Sequence, residues 1–189
     1  QTELKFLKSQ YHPHFLFNAL NTVYFQIDES NKAPRRTLEM ISELLRYQLY
    51  GGNQKVSILQ EIDYLKTYIA LRKLRMSERL RLRVEFPPEL NELNIYPLLF
   101  LPLVENAFKY VGGDYQLDII MKWENNRISL FIRNSIPELS AEDEALRKSV
   151  DERQRKGIGL VNLRRRLSLL YPNKHRLETR KEETEFVAE

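Results

Sequence analysis

The sequence contains no cysteine, which removes disulfides, thiolate metal sites and cysteine nucleophiles at once and suits a reducing compartment. Glycine is sparse as well: the six residues fall in three pairs, Gly51-Gly52, Gly112-Gly113, and Gly157 with Gly159. None has the spacing of a dinucleotide fingerprint or the Lys-Ser/Thr of a P-loop, so neither of those folds is supported. Long apolar runs are missing too. The longest, Ile95 to Val104, is interrupted by Pro97 and Pro102 and falls short of the ~20 residues a membrane helix needs. No charged-then-apolar signal opens the chain, and a start at Gln1 within an expected helix points to a piece of a longer protein.

What is present suits a folded domain. At 189 residues, 42% of them hydrophobic and 30% charged, the chain can bury one sizeable core or two modest ones, and the composition is not that of a disordered segment. The net charge of +4 is partly local, in Arg72-Lys73-Leu74-Arg75 and on to Arg79, Arg81 and Arg83. Such a run invites a nucleic-acid reading. No aromatic residues interleave with these arginines, however, and no helix-turn-helix or zinc-finger spacing appears, so a solvated helix end is favoured.

The first third reads as helices. From His14, Phe17, Leu20, Val23 and Ile27 recur at helical spacing, so one face of a helix from about His14 to Asp28 can be buried, with His14 and Asn18 on an adjoining stripe. Pro13 either opens this helix or kinks one continuing from Leu4 and Leu7. A second helix, opened by Pro34, carries Leu38, Ile41, Leu44 or Leu45, and Leu49, and stops at Gly51-Gly52. A third begins at Ser57-Ile58-Leu59-Gln60, where Ser and Gln can cap reciprocally, and runs through Leu59, Ile62, Leu65 and Ile69 to about Met76. The first two form a hairpin that cannot bury its stripe alone, so pairing of two chains into a four-helix bundle is expected.

Near Arg79 the texture changes. Leu80 to Phe86 alternates apolar with charged residues, the period of a half-buried strand, and Pro87-Pro88 ends it. A buried helix is expected from Leu101 to Tyr110, then a hairpin of Gln116–Trp123 and Arg127–Arg133, and a short helix capped at Ser140-Ala141-Glu142-Asp143. A further helix follows Gly159 with Leu160, Leu163, Leu167 and Leu170, and a last strand lies around Phe186. The fold class is therefore α+β, a helical hairpin followed by a two-layer α/β sandwich, with segments 1–80 and 81–189 as the two domains.

Three places can carry chemistry. Gln10-Tyr11-His12-Pro13-His14-Phe15-Leu16-Phe17-Asn18 sets two imidazoles around a proline. Leu103-Val104-Glu105-Asn106-Ala107-Phe108-Lys109-Tyr110 puts Asn106 and Lys109 on one helix face, where an amide oxygen can ligate Mg²⁺ and an ammonium can neutralise phosphate. Gly157-Ile158-Gly159-Leu160-Val161-Asn162 opens a helix whose free N–H groups attract phosphate.

These boxes together resemble those of sensor histidine kinases of the LytS/YehU type, in the GHKL (Bergerat) ATPase superfamily, and the resemblance covers nearly the whole chain. It implies that His14, not His12, accepts the γ-phosphoryl group of ATP and passes it to a response-regulator aspartate. By the same resemblance Asn106 holds Mg²⁺, Lys109 and Tyr110 approach the nucleotide, Glu105 activates the attacking group, and Gly157, Gly159 and Leu160 belong to the phosphate-side box. Tyr110 stands where relatives commonly have histidine. Asn134-Ser135-Ile136-Pro137 replaces the usual Asp-x-Gly-x-Gly, with Asn134 left to accept from the adenine amino group. A polar residue four after the histidine, here Asn18, supports phosphatase activity in other histidine kinases. The implied protein is the cytoplasmic portion of a membrane-anchored bacterial sensor, homodimeric through its hairpin, binding no nucleic acid and meeting the membrane only through a segment outside this chain. The rival reading is a non-catalytic dimeric signalling module that binds nucleotide weakly or not at all.

Overall fold

The computed structural model describes residues 13–50, 54–87, 93–137, 158–182 and 184–189. Helix α1 (Pro13–Gln26) begins at Pro13, whose missing N–H costs nothing in a first turn. A turn leads into α2 (Lys32–Tyr50). Asp28 builds that turn: its carboxylate accepts from the Ser30 N–H at 2.9 Å and the Ser30 hydroxyl at 2.5 Å, and these bonds hold it below the usual carboxylate range. Across the hairpin Tyr24 donates to Glu39 at 3.1 Å, and the Arg35 guanidinium lies 4.6 Å above the Tyr24 ring.

Of the stripe expected on α1, Phe17, Leu20 and Ile27 are half-buried and Val23 is 45% exposed, while Phe15 and Phe25, off that stripe, are 74% and 78% exposed. Helix α2 covers one side, and a two-helix hairpin has no element for the other.

Strand β1 (Val56–Ser57) pairs with β3 (Asn94–Ile95), and α3 (Ile58–Lys73) starts directly after β1. The reciprocal cap is formed: Ser57 Oγ accepts from the Gln60 N–H at 3.2 Å, and Gln60 Oε1 accepts from the Ser57 N–H at 3.1 Å. Helix α3 ends at Lys73, short of the expected Met76, and its buried line is Ile58, Glu61, Ile62, Leu65 and Ile69. Leu59, expected on that line, is 50% exposed, because it stands one residue, about 100°, from Ile58 around the helix.

The sheet runs β2-β4-β5-β7-β6, from β2 (Arg81–Glu85), β4 (Gln116–Glu124), β5 (Arg127–Ser135), β6 (Thr179–Lys181) and β7 (Glu185–Ala188). β2 and β4 are parallel and the remaining neighbours antiparallel. Asn125 and Asn126 close the β4–β5 hairpin with φ of +52° and +61°, left-handed values that a two-residue turn requires and asparagine tolerates. Asp118 and Arg133 face each other across this hairpin, joined at 2.6 and 3.0 Å.

Helix α4 (Leu101–Tyr110) packs on α3, β4, β5 and α5 (Ile158–Leu170). Helix α5 begins one residue before Gly159. A single apolar cluster joins Leu44 of α2 and Leu65 of α3 to Val104 and Phe108 of α4, Leu117, Ile119 and Ile132 of the sheet, and Leu163 of α5. The molecule is mixed α+β, and its core crosses position 80. His12, the Gly51-Gly52 stop and the short helix at Ser140–Asp143 lie outside the described residues.

Candidate active site

Helix α4 carries four of the expected site residues. Its inner face, Leu101, Val104, Ala107 and Phe108, is buried, so Glu105, Asn106, Lys109 and Tyr110 fall on its flanks. Lys109 Nζ sits 5.1 Å from the centre of the Tyr110 ring, a cation–π distance. Asn106 is half-buried.

Glu105 turns towards α3. Although more than a third of the residue is exposed, partial desolvation raises its carboxyl above the ordinary value, and the nearby Arg72 charge opposes that rise. Burial likewise pushes Tyr64 up to about 12, with the Glu105 charge adding to it, and raises Tyr68 with the same help from Glu105. Arg72 lies over the Phe108 ring at 5.6 Å. Tyr64, Tyr68 and Arg72 recur every fourth residue along one stripe of α3, and Tyr64 also stacks on Tyr47 of α2 and accepts from Gln48 at 2.7 Å.

Beneath α4, Asn134 of β5 is completely buried. Its Nδ2 donates to Ser135 O at 3.2 Å, whereas its buried Oδ1 has no hydrogen-bond partner among the described residues. A buried acceptor left unpaired costs about 1–3 kcal/mol, so this oxygen has a vacancy for a donor. Ser135 does different work. Its hydroxyl donates to Gly112 O at 2.6 Å and accepts from the Gln116 N–H at 2.9 Å, which ties the end of β5 to the loop after α4. That loop accounts for one glycine pair: a Cβ on Gly112 would meet Pro137 Cδ at 2.9 Å, and Gly113 has φ +60°. Gly112-Gly113 and Ile136-Pro137 are thus interlocked.

Helix α5 supplies the third side. Ile158, Gly159 and Leu160 form its first turn, where helix geometry leaves N–H groups without intrahelical partners. Among the described residues, a Cβ on Gly159 would meet nothing within 4 Å. Leu160 packs against the core. Gly157 lies outside the described residues. Further along, Asn162, Arg165, Arg166, Leu169 and Leu170 line a groove of about 360 Å³ with Tyr96 and Pro97.

His14 and Asn18 are brought together on α1, with Asn18 Nδ2 3.1 Å from His14 Nδ1. Their helix packs on α2, so the histidine pair and the residues of α4 and β5 form two separate constellations.

Sequence reading missed Glu61, which is fully buried. Its signal was a charged residue on the Ile58–Ile62–Leu65–Ile69 line, where a carboxylate has no place unless hydrogen bonds surround it. Arg72, Arg166 and Ser135 were missed too, since nothing in their spacing announces their partners.

Residues 2–80 match the family model described as Histidine kinase. Over 180 residues the chain is 29% identical to Sensor protein kinase HptS of Staphylococcus aureus strain USA300, and equally to HptS of strain NCTC 8325. The alignment covers 93% of the chain but 35% of the relative, so the chain spans about a third of the length of the curated relatives it matches. Among solved structures, Acinetobacter baumannii histidine kinase AdeS has a TM-score of 0.43 at 14% identity, covering 94% of this chain and 93% of that one. A bacterial phosphotransferase has a TM-score of 0.44 at 11% identity, covering 94% and 88%.

Proposed function

We propose that this chain, similar to histidine kinases over residues 2–80 and to Sensor protein kinase HptS over most of its length, is a sensor histidine kinase core that binds ATP with Mg²⁺ on the α4, β5 and α5 side and phosphorylates its own His14. The observation that carries this reading is the buried Oδ1 of Asn134, unpaired among the described residues. An exocyclic amino group such as that of adenine is the donor this acceptor lacks, and the amide supplies the bond without the charge of an aspartate.

Asn106 presents the hard oxygen suited to Mg²⁺, and Lys109 neutralises phosphate. The first-turn amides of α5 at Ile158, Gly159 and Leu160, with Gly157 before them, add phosphate donors. Mg²⁺, when bound, offsets charge on the phosphate oxygens. In the transfer a ring nitrogen of His14 forms the N–P bond as the bond from the γ-phosphorus to the bridging oxygen breaks, and ADP leaves with that electron pair. Glu105 activates the imidazole. Because α1 packs on α2 and Asn106 stands on α4, movement of the hairpin relative to α4 brings His14 in line.

The stripe of Phe17, Leu20, Val23 and Ile27, only half covered by α2, supports pairing of two hairpins into a four-helix bundle. The helices on the sheet support a GHKL-type two-layer sandwich for 81–189, with 1–80 as the dimerisation and phosphoacceptor segment. A response-regulator aspartate then takes the phosphoryl group from His14. The chain is, on this reading, the cytoplasmic portion of a membrane-anchored sensor.

The interlocked Gly112 and Pro137 favour a second reading, a dimeric module with weak nucleotide binding, since the loop after β5 lacks the freedom glycines would give it. Incubation with γ-labelled ATP and Mg²⁺ tests the first: acid-labile, base-stable label is expected on His14 and absent from His14→Gln. Label retained in His14→Gln overturns it, and failure of Mg·ATP to bind at all selects the second.

A further inference from the structure

Helix α4 has no side-chain cap of its own, because Phe100 stands at its N-cap position and makes no capping bond. The missing acceptor comes from α3. Glu61 Oε1 accepts from the N–H groups of Leu99 at 2.9 Å and Phe100 at 3.4 Å, while Oε2 accepts from Leu98 N–H at 2.8 Å. Three consecutive backbone donors converge on one carboxylate at a turn where Leu98 has φ +57° and Phe100 is right-handed, an arrangement of amides that makes a concavity for an anion. Leucine adopts the left-handed state only under constraint.

The same turn is held from two other helices. Tyr47 of α2 donates to Glu61 Oε2 at 2.7 Å. From α5, Arg166 donates to Leu98 O at 3.0 Å and Pro97 O at 2.5 Å, and after α5 the Tyr171 hydroxyl accepts from Tyr96 N–H at 3.2 Å. Carbonyls on one side face a cation, and amides on the other face an anion. Burial, with the Glu61 bond second, raises the Tyr47 hydroxyl far above its ordinary value, so it remains a donor.

We propose that Glu61 is a positioning residue: its carboxylate, seated in the concavity of Leu98, Leu99 and Phe100, fixes the helix bearing Asn106 and, through Tyr47, couples that helix to the histidine hairpin. The nucleotide part rests on the function proposed above. Both carboxylate oxygens face N–H donors, so a glutamine cannot satisfy both; one N–H meets an amide NH₂. Tyr47→Phe breaks only the tie to α2.

Hydrogen exchange and Mg·ATP titration on the full chain test this. Glu61→Gln is expected to speed exchange of the 98–106 amides at least about tenfold while the β4–β5 hairpin keeps its wild-type rates. It should also weaken Mg·ATP binding about tenfold while affinity measured in EDTA stays within about twofold, a pattern that simple loss of stability does not produce. Tyr47→Phe should give a smaller version of both effects, about two- to threefold, and the double variant should add nothing to Glu61→Gln, since both act through one carboxylate. Should Glu61→Gln fail to fold, Tyr47→Phe carries the test through the 98–106 amides. Wild-type exchange at 98–106 in whichever of these variants folds, or additive effects, overturns the clamp. A wild-type chain that binds no Mg·ATP overturns the nucleotide reading instead, and the exchange rates still decide the clamp.

Discussion

Asn18 Nδ2 lies 3.1 Å from His14 Nδ1, one helical turn away on an exposed face of α1. This contact engages Nδ1 and leaves Nε2 as the outward ring nitrogen. With Asn18 donating, the ring proton sits on Nε2 and must leave as that atom attacks. An aspartate would reverse the polarity, accepting from Nδ1–H and leaving the Nε2 lone pair free. Asn18→Asp is therefore expected to label His14 faster, on the order of tenfold, and Asn18→Ala to keep labelling yet slow dephosphorylation of the regulator. Phosphorus NMR should place the phosphoryl group on Nε2. Label on Nδ1 would remove the role given to Asn18.

The vacancy at Asn134 gives a second test. Its buried Oδ1 has no donor among the described residues, so Asn134→Asp buries a poorly paired charge and should lower the melting temperature. A donor amino group would then meet a carboxylate, a bond stronger by about 1 kcal/mol. Adenine nucleotides should thus bind Asn134→Asp about fivefold more tightly, and inosine nucleotides, which lack the amino group, should gain nothing. Equal gains for both would mean that Asn134 does not face the base.

Much of the fold could be read from local pattern. The Ser57–Gln60 cap, the Leu101–Tyr110 helix and the β4–β5 hairpin each depend on residues within a few positions of one another, and each stands where the spacing put it. Asn106 and Lys109 were legible for the same reason, since helix periodicity alone assigns their face. What escaped depends on distant partners. Glu61 meets Leu98, Leu99 and Phe100 across nearly forty positions, and Arg166 meets Leu98 across 68. Val23 stands 45% exposed for a related reason: an apolar stripe is visible in sequence, but the element that covers it is not.

Removing the proposed metal ligand should separate the two halves of the proposed function. Asn106 stands on α4 and the half-covered stripe on α1, so Asn106→Ala is expected to abolish the Mg²⁺-dependent part of ATP binding and leave the hairpin dimer intact. Titration with and without Mg²⁺, beside sedimentation of the variant, measures both. A variant that turns monomeric would count against both Asn106 as a metal site and the division of the chain near Leu80.

Glu105 ties stability to pH with a definite sign. Partial desolvation raises its carboxyl in the folded chain, against the opposing charge of Arg72 and with solvent screening at the exposed part of the residue, so the folded state holds the proton somewhat more tightly than the unfolded chain does. Above the unfolded value, near 4.3, ionisation of Glu105 therefore works against folding, and the penalty fades as pH falls through that range and the carboxyl is protonated in both states. Glu105→Gln, which is neutral at every pH, should melt higher than wild type at pH 7 and lose that advantage near pH 4. Arg72→Met withdraws the compensating charge, so the gain from Glu105→Gln should be larger in that background. If Glu105 also activates His14, the stabilised variant should label more slowly by about a hundredfold, stability rising as activity falls. Thermal melts at both pH values, run beside labelling assays, separate these effects. A Glu105→Gln protein that melts at or below the wild-type temperature at pH 7 would mean that the carboxylate is held by its neighbours and not strained by them.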